Sequence, residues 1–268
     1  MGAMTIPGVS LSLANRNALI TGGSRGIGAA TVRLFRQAGA RVAFSYRQAA
    51  GEAEALSAEC GGAAVCLPIR KELATPEDGE VLVAKTIEAF GDLDILVVNH
   101  GIWPPVEASV ATMTAAQWRR TQGVNLDSVF GLVHAAAGHM LKRPSVDGMA
   151  RGHIVLIASS AGQRGEAFHA DYAASKGALI SLTKSLSSEL APHGIFANCV
   201  APGWTHTDMT DSVFGNPEIA ARINPTIPVG RAGRAEEIAG PILFLCTPYA
   251  GFISGEILNA NGGAVLVG

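Results

Sequence analysis

A chain of 268 residues with 48% hydrophobic and 16% charged side chains carries enough apolar material for one large α/β core. Its formal net charge of −2 gives no general attraction for nucleic acid or an anionic membrane, so a charged ligand must be held by local groups. No apolar run approaches the roughly 18 to 20 residues of a membrane span, and Cys60, Cys66, Cys199 and Cys246 form neither a C-x-x-C pair nor a His/Cys cluster of zinc type. Together these features exclude a membrane protein and a metal centre and lead us to expect reduced thiols in a cytoplasmic setting.

After a short N-terminal tail (1–14), the apolar run Asn17-Ala18-Leu19-Ile20 reads as a strand and the segment from Ala29 to Gly39 as a helix with Val32 and Phe35 on one face. Between them lies Thr21-Gly22-Gly23-Ser24-Arg25-Gly26-Ile27-Gly28. Glycines at a strand-to-helix turn let backbone approach a ligand closely, and the free N–H groups of a helix start favour a phosphate or pyrophosphate. A dinucleotide is the expected ligand, although the spacing Gly22-x-x-x-Gly26-x-Gly28 differs from the commoner Gly-x-Gly-x-x-Gly, and a glycine-rich turn by itself is often only a turn.

Arg41–Tyr46 reads as the second strand. An acidic residue at its end would bind the adenosine ribose of NAD, whereas arginine nearby would accept the extra phosphate of NADP. Here Tyr46 and Arg47 stand in that place, with Arg25 in the glycine turn, so NADP(H) is the expected cofactor. A helix over Gly51–Cys60 and a strand over Ala63–Ile69 follow. Thr75-Pro76-Glu77-Asp78 opens a helix with an N-cap, Pro at the first position and acids in the first turn, whose inner face is expected to hold Val81, Leu82, Ile87 and Phe90. Asp94–Val98 is nearly all apolar, as a strand buried on both faces of a parallel sheet should be. The alternation predicts an α/β fold of the Rossmann type: a single doubly wound parallel sheet of about seven strands with helices on both faces, spanning 1–268 as one domain, its ligand crevice at the strands' carboxyl ends.

Asn99-His100-Gly101 falls at that crevice, where a lone histidine is more often a hydrogen-bonded loop residue than a base. From Thr114 a helix is expected to run past Asn125 to Lys142-Arg143. Its middle, Val129–Ala137, is apolar on nearly every face, which asks for the sheet on one side and a second subunit on the other, while Asn125 in mid-helix is mildly unfavourable and asks for a reason. Pro144–Gly152 reads as a polar surface loop, His153–Ala158 as the fifth strand, Asp171 to about Ala191 as a helix, and Ile195–Val200 as the sixth strand, closed by Ala201-Pro202-Gly203. Residues 204–234 form a long excursion suited to a substrate lid, with Met209, Val213 and Phe214 able to close on a ligand. Glu236–Leu245 is the last helix and Glu256–Asn259 the last strand.

Tyr172 and Lys176 are four residues apart and share a helical face. A free phenol near pKa 10 is a poor proton donor or acceptor at pH 7, and an ammonium one turn away favours the phenolate, so Lys176 is expected to lower the pKa of Tyr172. Ser159, at the end of the preceding strand, can hold a carbonyl oxygen in the same crevice.

With these pieces in order, from Ala18 to Gly263, the chain resembles the short-chain dehydrogenase/reductase family. The motifs that carry the resemblance are Thr21-Gly22…Gly26-Ile27-Gly28, Asn99-His100-Gly101, Val124-Asn125-Leu126, Ser159, Tyr172-Ala173-Ala174-Ser175-Lys176 and Pro202-Gly203…Thr207. The resemblance implies a catalytic tetrad of Asn125, Ser159, Tyr172 and Lys176. It implies cofactor contacts from Gly22, Ser24, Arg25, Gly26, Ile27, Gly28, Tyr46, Arg47, Glu72, Asn99, Gly101, Tyr172, Lys176, Pro202, Gly203, Thr205 and Thr207, with Asn99 toward the adenosine ribose and Glu72 in place of the acid that meets adenine. The family's usual Asn-Asn-Ala-Gly appears here as Val98-Asn99-His100-Gly101. By the same resemblance the chain is a homotetrameric carbonyl reductase, with 3-oxoacyl thioesters the leading substrate class. The alternatives are a small-alcohol or sugar dehydrogenase and, in another class, a non-catalytic NADP sensor, which would have no need of Tyr172 and Lys176 together. Delivery of substrate by a carrier protein would require basic groups at the pocket mouth, for which Lys142, Arg143 and Arg164 are candidates.

Overall fold

The computed structural model describes residues 10–144 and 150–266. Seven strands, β1 (Asn17–Ile20), β2 (Arg41–Tyr46), β3 (Cys66–Arg70), β4 (Ile95–Val98), β5 (Gly152–Ile157), β6 (Ile195–Pro202) and β7 (Ile257–Ala260), form one sheet in the order β3-β2-β1-β4-β5-β6-β7. Every pairing is parallel. The order reverses between β1 and β4, and the crevice opens there, at the carboxyl ends of the strands.

Helices cover both faces because each strand is apolar on both sides and leaves two surfaces to bury. On one face α1 (Gly26–Gln37), α2 (Ala50–Glu59) and α10 (Ala235–Leu245) bury Val32, Phe35, Leu56, Ile238 and Ile242 against the sheet. On the other, α3 (Pro76–Phe90), α5 (Ser128–Met140) and α7 (Ala170–Leu190) bury Leu82, Phe90, Leu132, Met140, Leu179 and Leu190. The start of α3 is as its sequence requires: Thr75 caps it, Asp78 returns a bond to the Thr75 N–H at 3.0 Å, and Gly91 ends it in the left-handed conformation at φ +82°.

Several expectations need correction. Val81 lies outward, 43% exposed, and Val83 takes the inner position, because the 100° step per residue puts 82, 83, 86 and 90 on the core side. The long helix expected from Thr114 is three pieces: α4 (Ala115–Gln122), a π-helical turn over Gly123–Asp127, and α5, which ends at Met140 rather than at Arg143. The tail expected over 1–14 does not extend to Leu13, which is a core residue whose N–H bonds the Ala38 carbonyl at 2.7 Å. Part of the surface loop expected over Pro144–Gly152, residues 145–149, lies outside the described residues. The excursion over 204–234 is helical, with α8 (Asp211–Phe214), α9 (Pro217–Ile223) and flanking 3₁₀ turns; it is pinned by a bridge between Thr205 and Gly233 and by buried Ile227 and Ala232.

The segment around the π turn is closely packed from outside. α3 crosses α5 so tightly that a Cβ at Gly131 would stand 1.8 Å from the Pro76 carbonyl oxygen, and one at Gly123 would stand 2.9 Å from that of Ala74. Gly131→Ala is therefore expected to destabilise the protein by about 3 kcal/mol through overpacking. Gly51→Ala, at a helical site with open space around it, should be neutral or stabilising by about 0.5 kcal/mol. Urea unfolding of both variants checks this, and an equal effect of the two would contradict the packing described.

Candidate active site

The floor of the crevice is the glycine turn. Gly22 and Gly26 have φ of +64° and +53°, a region that side chains disfavour, and a Cβ at Gly28 would stand 2.1 Å from the Gly22 carbonyl oxygen. This closeness brings the start of α1 directly over the end of β1. The α1 N-cap, Arg25, makes no side-chain bond to the first N–H groups, so they face the crevice free to meet an anion. A Cβ at Gly26 would meet the Thr207 methyl at 3.1 Å, which places Thr207 across the turn. These features fit a pyrophosphate.

Above the turn, Ser24, Ile27, Tyr46, Arg47, Glu72, Asn99, Gly101, Pro202 and Gly203 all line one cavity that continues to Ser159, Tyr172 and Lys176. Two residues have other work within it. The Asn99 amide nitrogen bonds the Thr21 and Gly22 carbonyls at 3.0 and 3.2 Å, so that group shapes the glycine turn rather than reaching a ribose. The Thr205 hydroxyl donates to the Gly203 carbonyl at 3.0 Å and is buried. Glu72 stands 3.7 Å from Arg47, and Arg25 pairs with Asp208 of the excursion at 3.2 Å; all four side chains are largely exposed. Arg70 joins Arg47 and Lys71 in a second depression at this edge. Arg70 carries no sequence signal beyond its position at the end of β3, beside the end of β2.

At the far end α7 presents Tyr172 and Lys176. Lys176 is 4% exposed, its ammonium donates to the Ile157 carbonyl at 2.7 Å, and it lies 5.8 Å from the centre of the Tyr172 ring. Burial pushes Lys176 down to about 8. The expectation that this lysine lowers the tyrosine pKa is not met: burial pushes Tyr172 up to about 12, with only the Ser159 hydroxyl acting against it and Glu166 adding to it. Lys176 is not among the groups that act on the phenol, its ammonium being held by the Ile157 carbonyl. Ser159 caps the short helix α6 (Ser160–Arg164), its oxygen accepting from the Ala161 N–H at 3.1 Å, which leaves its own O–H to donate.

Asn125 now has its reason. It sits in the π turn, fully buried; its Oδ1 accepts from the Ile102 N–H at 2.8 Å, and its Nδ2 donates to the Ile102 carbonyl at 2.9 Å and to Ser175 Oγ at 3.1 Å. It is thus a clamp between the turn after β4 and α7. Asp171, missed in the sequence, is a second: its Oδ2 accepts from Thr121 at 2.7 Å and Gln117 at 3.2 Å, fixing α4 beside Tyr172. Only its neighbourhood to Tyr172 pointed to it. His100 is bonded on both ring nitrogens, and burial, with the Lys176 charge second, pushes it down to about 3. A substrate would meet walls of Ile102, Trp103, Trp204 and Met209, with Arg164 and Glu166 at one side. Lys142 and Arg143 are elsewhere: Arg143 pairs with Asp94 at 2.7 Å, at the amino end of β4 and so at the opposite edge of the sheet. Among the described residues there is no metal-binding cluster, no helix is long and apolar enough to cross a membrane, and all four cysteines are free.

A parallel sheet with this order, a glycine turn at its switch point and a Tyr-x-x-x-Lys pair opposite define a dinucleotide-dependent oxidoreductase site. Comparison with known proteins agrees. The family model described as "Enoyl-(Acyl carrier protein) reductase" matches residues 22–265. An acetoacetyl-CoA reductase of Rhizobium meliloti (strain 1021) is 39% identical over 93% of this chain and 98% of its own. A solved "Short-chain dehydrogenase/reductase SDR:Glucose/ribitol dehydrogenase" from Brucella melitensis superposes with a TM-score of 0.87 at 34% identity, covering 97% of this chain and 100% of the other. A short chain dehydrogenase from Burkholderia cenocepacia J2315, solved in complex with NADP, gives 0.83 at 35% identity over 94% of this chain and 98% of the other. The chain belongs to the short-chain dehydrogenase/reductase family of oxidoreductases.

Proposed function

We propose that the protein is a cytoplasmic NADP(H)-dependent carbonyl reductase that converts a ketone to a secondary alcohol, 3-oxoacyl thioesters being the leading substrate class. The observation that carries this reading is the convergence of Ser159, Tyr172 and Lys176 at one end of the cavity whose other end is the glycine turn and Arg47. Gly22, Ser24, Gly26, Ile27 and Gly28 would hold the pyrophosphate, Arg47 with Arg70 the adenosine phosphate, and Lys176 the nicotinamide ribose. When bound, the nicotinamide supplies hydride to the carbonyl carbon. The chain's own residues do the rest. Ser159 donates a hydrogen bond that orients the carbonyl oxygen; Tyr172, which burial keeps protonated at neutral pH, gives that oxygen its proton; Lys176, 5.8 Å from the tyrosine ring, holds the nicotinamide ribose beside it. A phenol held protonated suits reduction. The relatives support both a thioester and a polyol substrate: an acetoacetyl-CoA reductase and a glucose/ribitol dehydrogenase are 39% and 34% identical to this chain over 93% and 97% of it. Glu166, a half-buried carboxylate in the wall able to accept from sugar hydroxyls, favours the second reading, a sugar dehydrogenase.

Tyr172→Phe, tested with NADPH against acetoacetyl thioesters and a panel of ketones and sugars, should lower kcat by about 10² to 10⁴ while NADPH still binds. Reduction should be flat with pH near neutrality and fall as Lys176 loses its charge through about 8. Near-normal turnover in Tyr172→Phe would remove the tyrosine as acid. Arg47→Ala should raise KM for NADPH about tenfold and leave that for NADH nearly unchanged, since a charge-assisted phosphate contact is lost; equal wild-type efficiency with the two cofactors would overturn the NADP assignment.

Assembly is proposed from surface chemistry. Trp118 of α4, Phe130 of α5 and Leu141 just beyond it are 42%, 57% and 39% exposed, apolar surface that a subunit interface would cover. A homotetramer buries it. Light scattering should return about four times the chain mass, and a monomer at micromolar concentration would refute it.

A further inference from the structure

We propose that His100 is a positioning residue for the reaction: a neutral imidazole that ties the end of β1 to the π turn and so fixes where Asn125 and Lys176 stand relative to each other. This rests on the functional reading above. The observation is a three-way bridge. His100 Nδ1 lies 2.8 Å from Thr21 Oγ1, and Nε2 lies 3.1 Å from the Val124 carbonyl and 2.8 Å from Ser128 Oγ. Thr21 follows β1, His100 follows β4, and Val124 and Ser128 bracket Asn125. One ring therefore spans the switch point of the sheet and the helix break.

The bonding pattern favours the tautomer protonated on Nε2. A carbonyl can only accept, so Nε2 carries the proton and donates toward Val124. Thr21 Oγ1 already accepts from the Asn99 and His100 N–H groups at 3.0 and 3.2 Å, so its hydroxyl proton goes to Nδ1. Ser128 Oγ donates to the Val124 carbonyl at 2.9 Å and accepts from Nε2. Every polar atom around the ring is satisfied, and a second proton on the imidazole would break the Thr21 bond. Phenylalanine could fill the same space and make none of these bonds.

The consequence for the site is geometric. The turn that His100 anchors passes so close to the machinery that a Cβ at Gly101 would stand 3.2 Å from Asn125 Oδ1 and 3.4 Å from Lys176 Nζ. Ile102, the next residue, holds the Asn125 amide from both its N–H and its carbonyl. Releasing His100 lets the turn move as a unit, and a displacement of about 1 Å at a catalytic constellation costs up to about 10² in rate.

Three variants test this. His100→Phe retains volume and aromaticity, His100→Gln offers an amide donor and acceptor with nearly the spacing of the ring nitrogens, and His100→Ala removes both. The proposal expects His100→Phe and His100→Ala to lose about tenfold or more in kcat, measured well below their melting temperatures, with KM for NADPH within about twofold of wild type. His100→Gln should recover most of the loss. A histidine that only fills the core would lower the melting temperature and leave kcat unchanged at permissive temperature. Wild-type kcat in His100→Phe, or a His100→Gln no better than His100→Phe, would overturn the proposal. Nitrogen NMR of the wild-type protein, with His100 assigned through the backbone, needs no variant: a protonated Nε2 and a bare Nδ1 at pH 7 are expected, and the opposite tautomer or an imidazolium would refute the bridge. Tyr172→Phe measured in parallel separates the two readings. If it is inactive while His100→Phe is normal, only the role of His100 fails; if it turns over normally, the assignment of the site fails and this proposal with it.

Discussion

The approach of Gly28 to the Gly22 carbonyl is the constraint on which the rest of the molecule depends. No side chain fits there, since a Cβ would lie 2.1 Å from that oxygen. Helix α1 can therefore begin almost on top of the strand that feeds it, and its unpaired N–H groups point into the space between β1 and β4. That space exists only because the strand order reverses at this point. A parallel sheet supplies the rest: each later strand, β4, β5 and β6, ends on the same edge, and the residues following it, Asn99, Ser159 and Gly203, arrive at one cavity without further design.

Charge is handled differently at the two ends of that cavity. At the glycine end the arginines are exposed and their pairings with Asp208 and Glu72 are those of surface ions, weak enough to be exchanged for a phosphate. At the tyrosine end the groups are desolvated. A buried ammonium is tolerable because the Ile157 carbonyl receives it, and a half-buried phenol is easily kept protonated. The environment thus makes a reservoir of one proton beside a cation close to losing its own.

Much of the fold is legible in the residues. Apolar runs such as Ile95–Val98 admit no reading but a strand covered on both faces, and Thr75-Pro76-Glu77-Asp78 announces a helix start that the structure reproduces with its capping bonds. The glycine turn and the Tyr172–Lys176 pair are local in sequence and so could be placed. What escaped was set by contacts between distant segments. Whether Val81 or Val83 turns inward depends on where α5 crosses α3. That Arg143 serves Asp94, far from the cavity, depends on where α5 ends. The tyrosine pKa was misjudged in sign because helical spacing shows who is near, while burial and the direction of the lysine head depend on β5 and its Ile157 carbonyl. His100 and Asp171 gave no signal beyond position, since their partners lie 24 to 79 residues away in sequence.

The π turn at Gly123–Asp127 carries a consequence for how this chain can vary. A π turn holds one residue more than regular α-helix would, so everything after it is rotated by about 100° about the helix axis relative to an unbroken continuation. Deleting a single residue there would restore regular α-helix and leave Leu132, Ala136 and Met140 facing the sheet, but it would remove the widened turn from which Asn125 reaches Ile102. The extra residue therefore serves the active-site amide and not the packing of the rod: a shortening by one residue at this turn would spare the core of α5 and cost the clamp that Asn125 makes on Ile102.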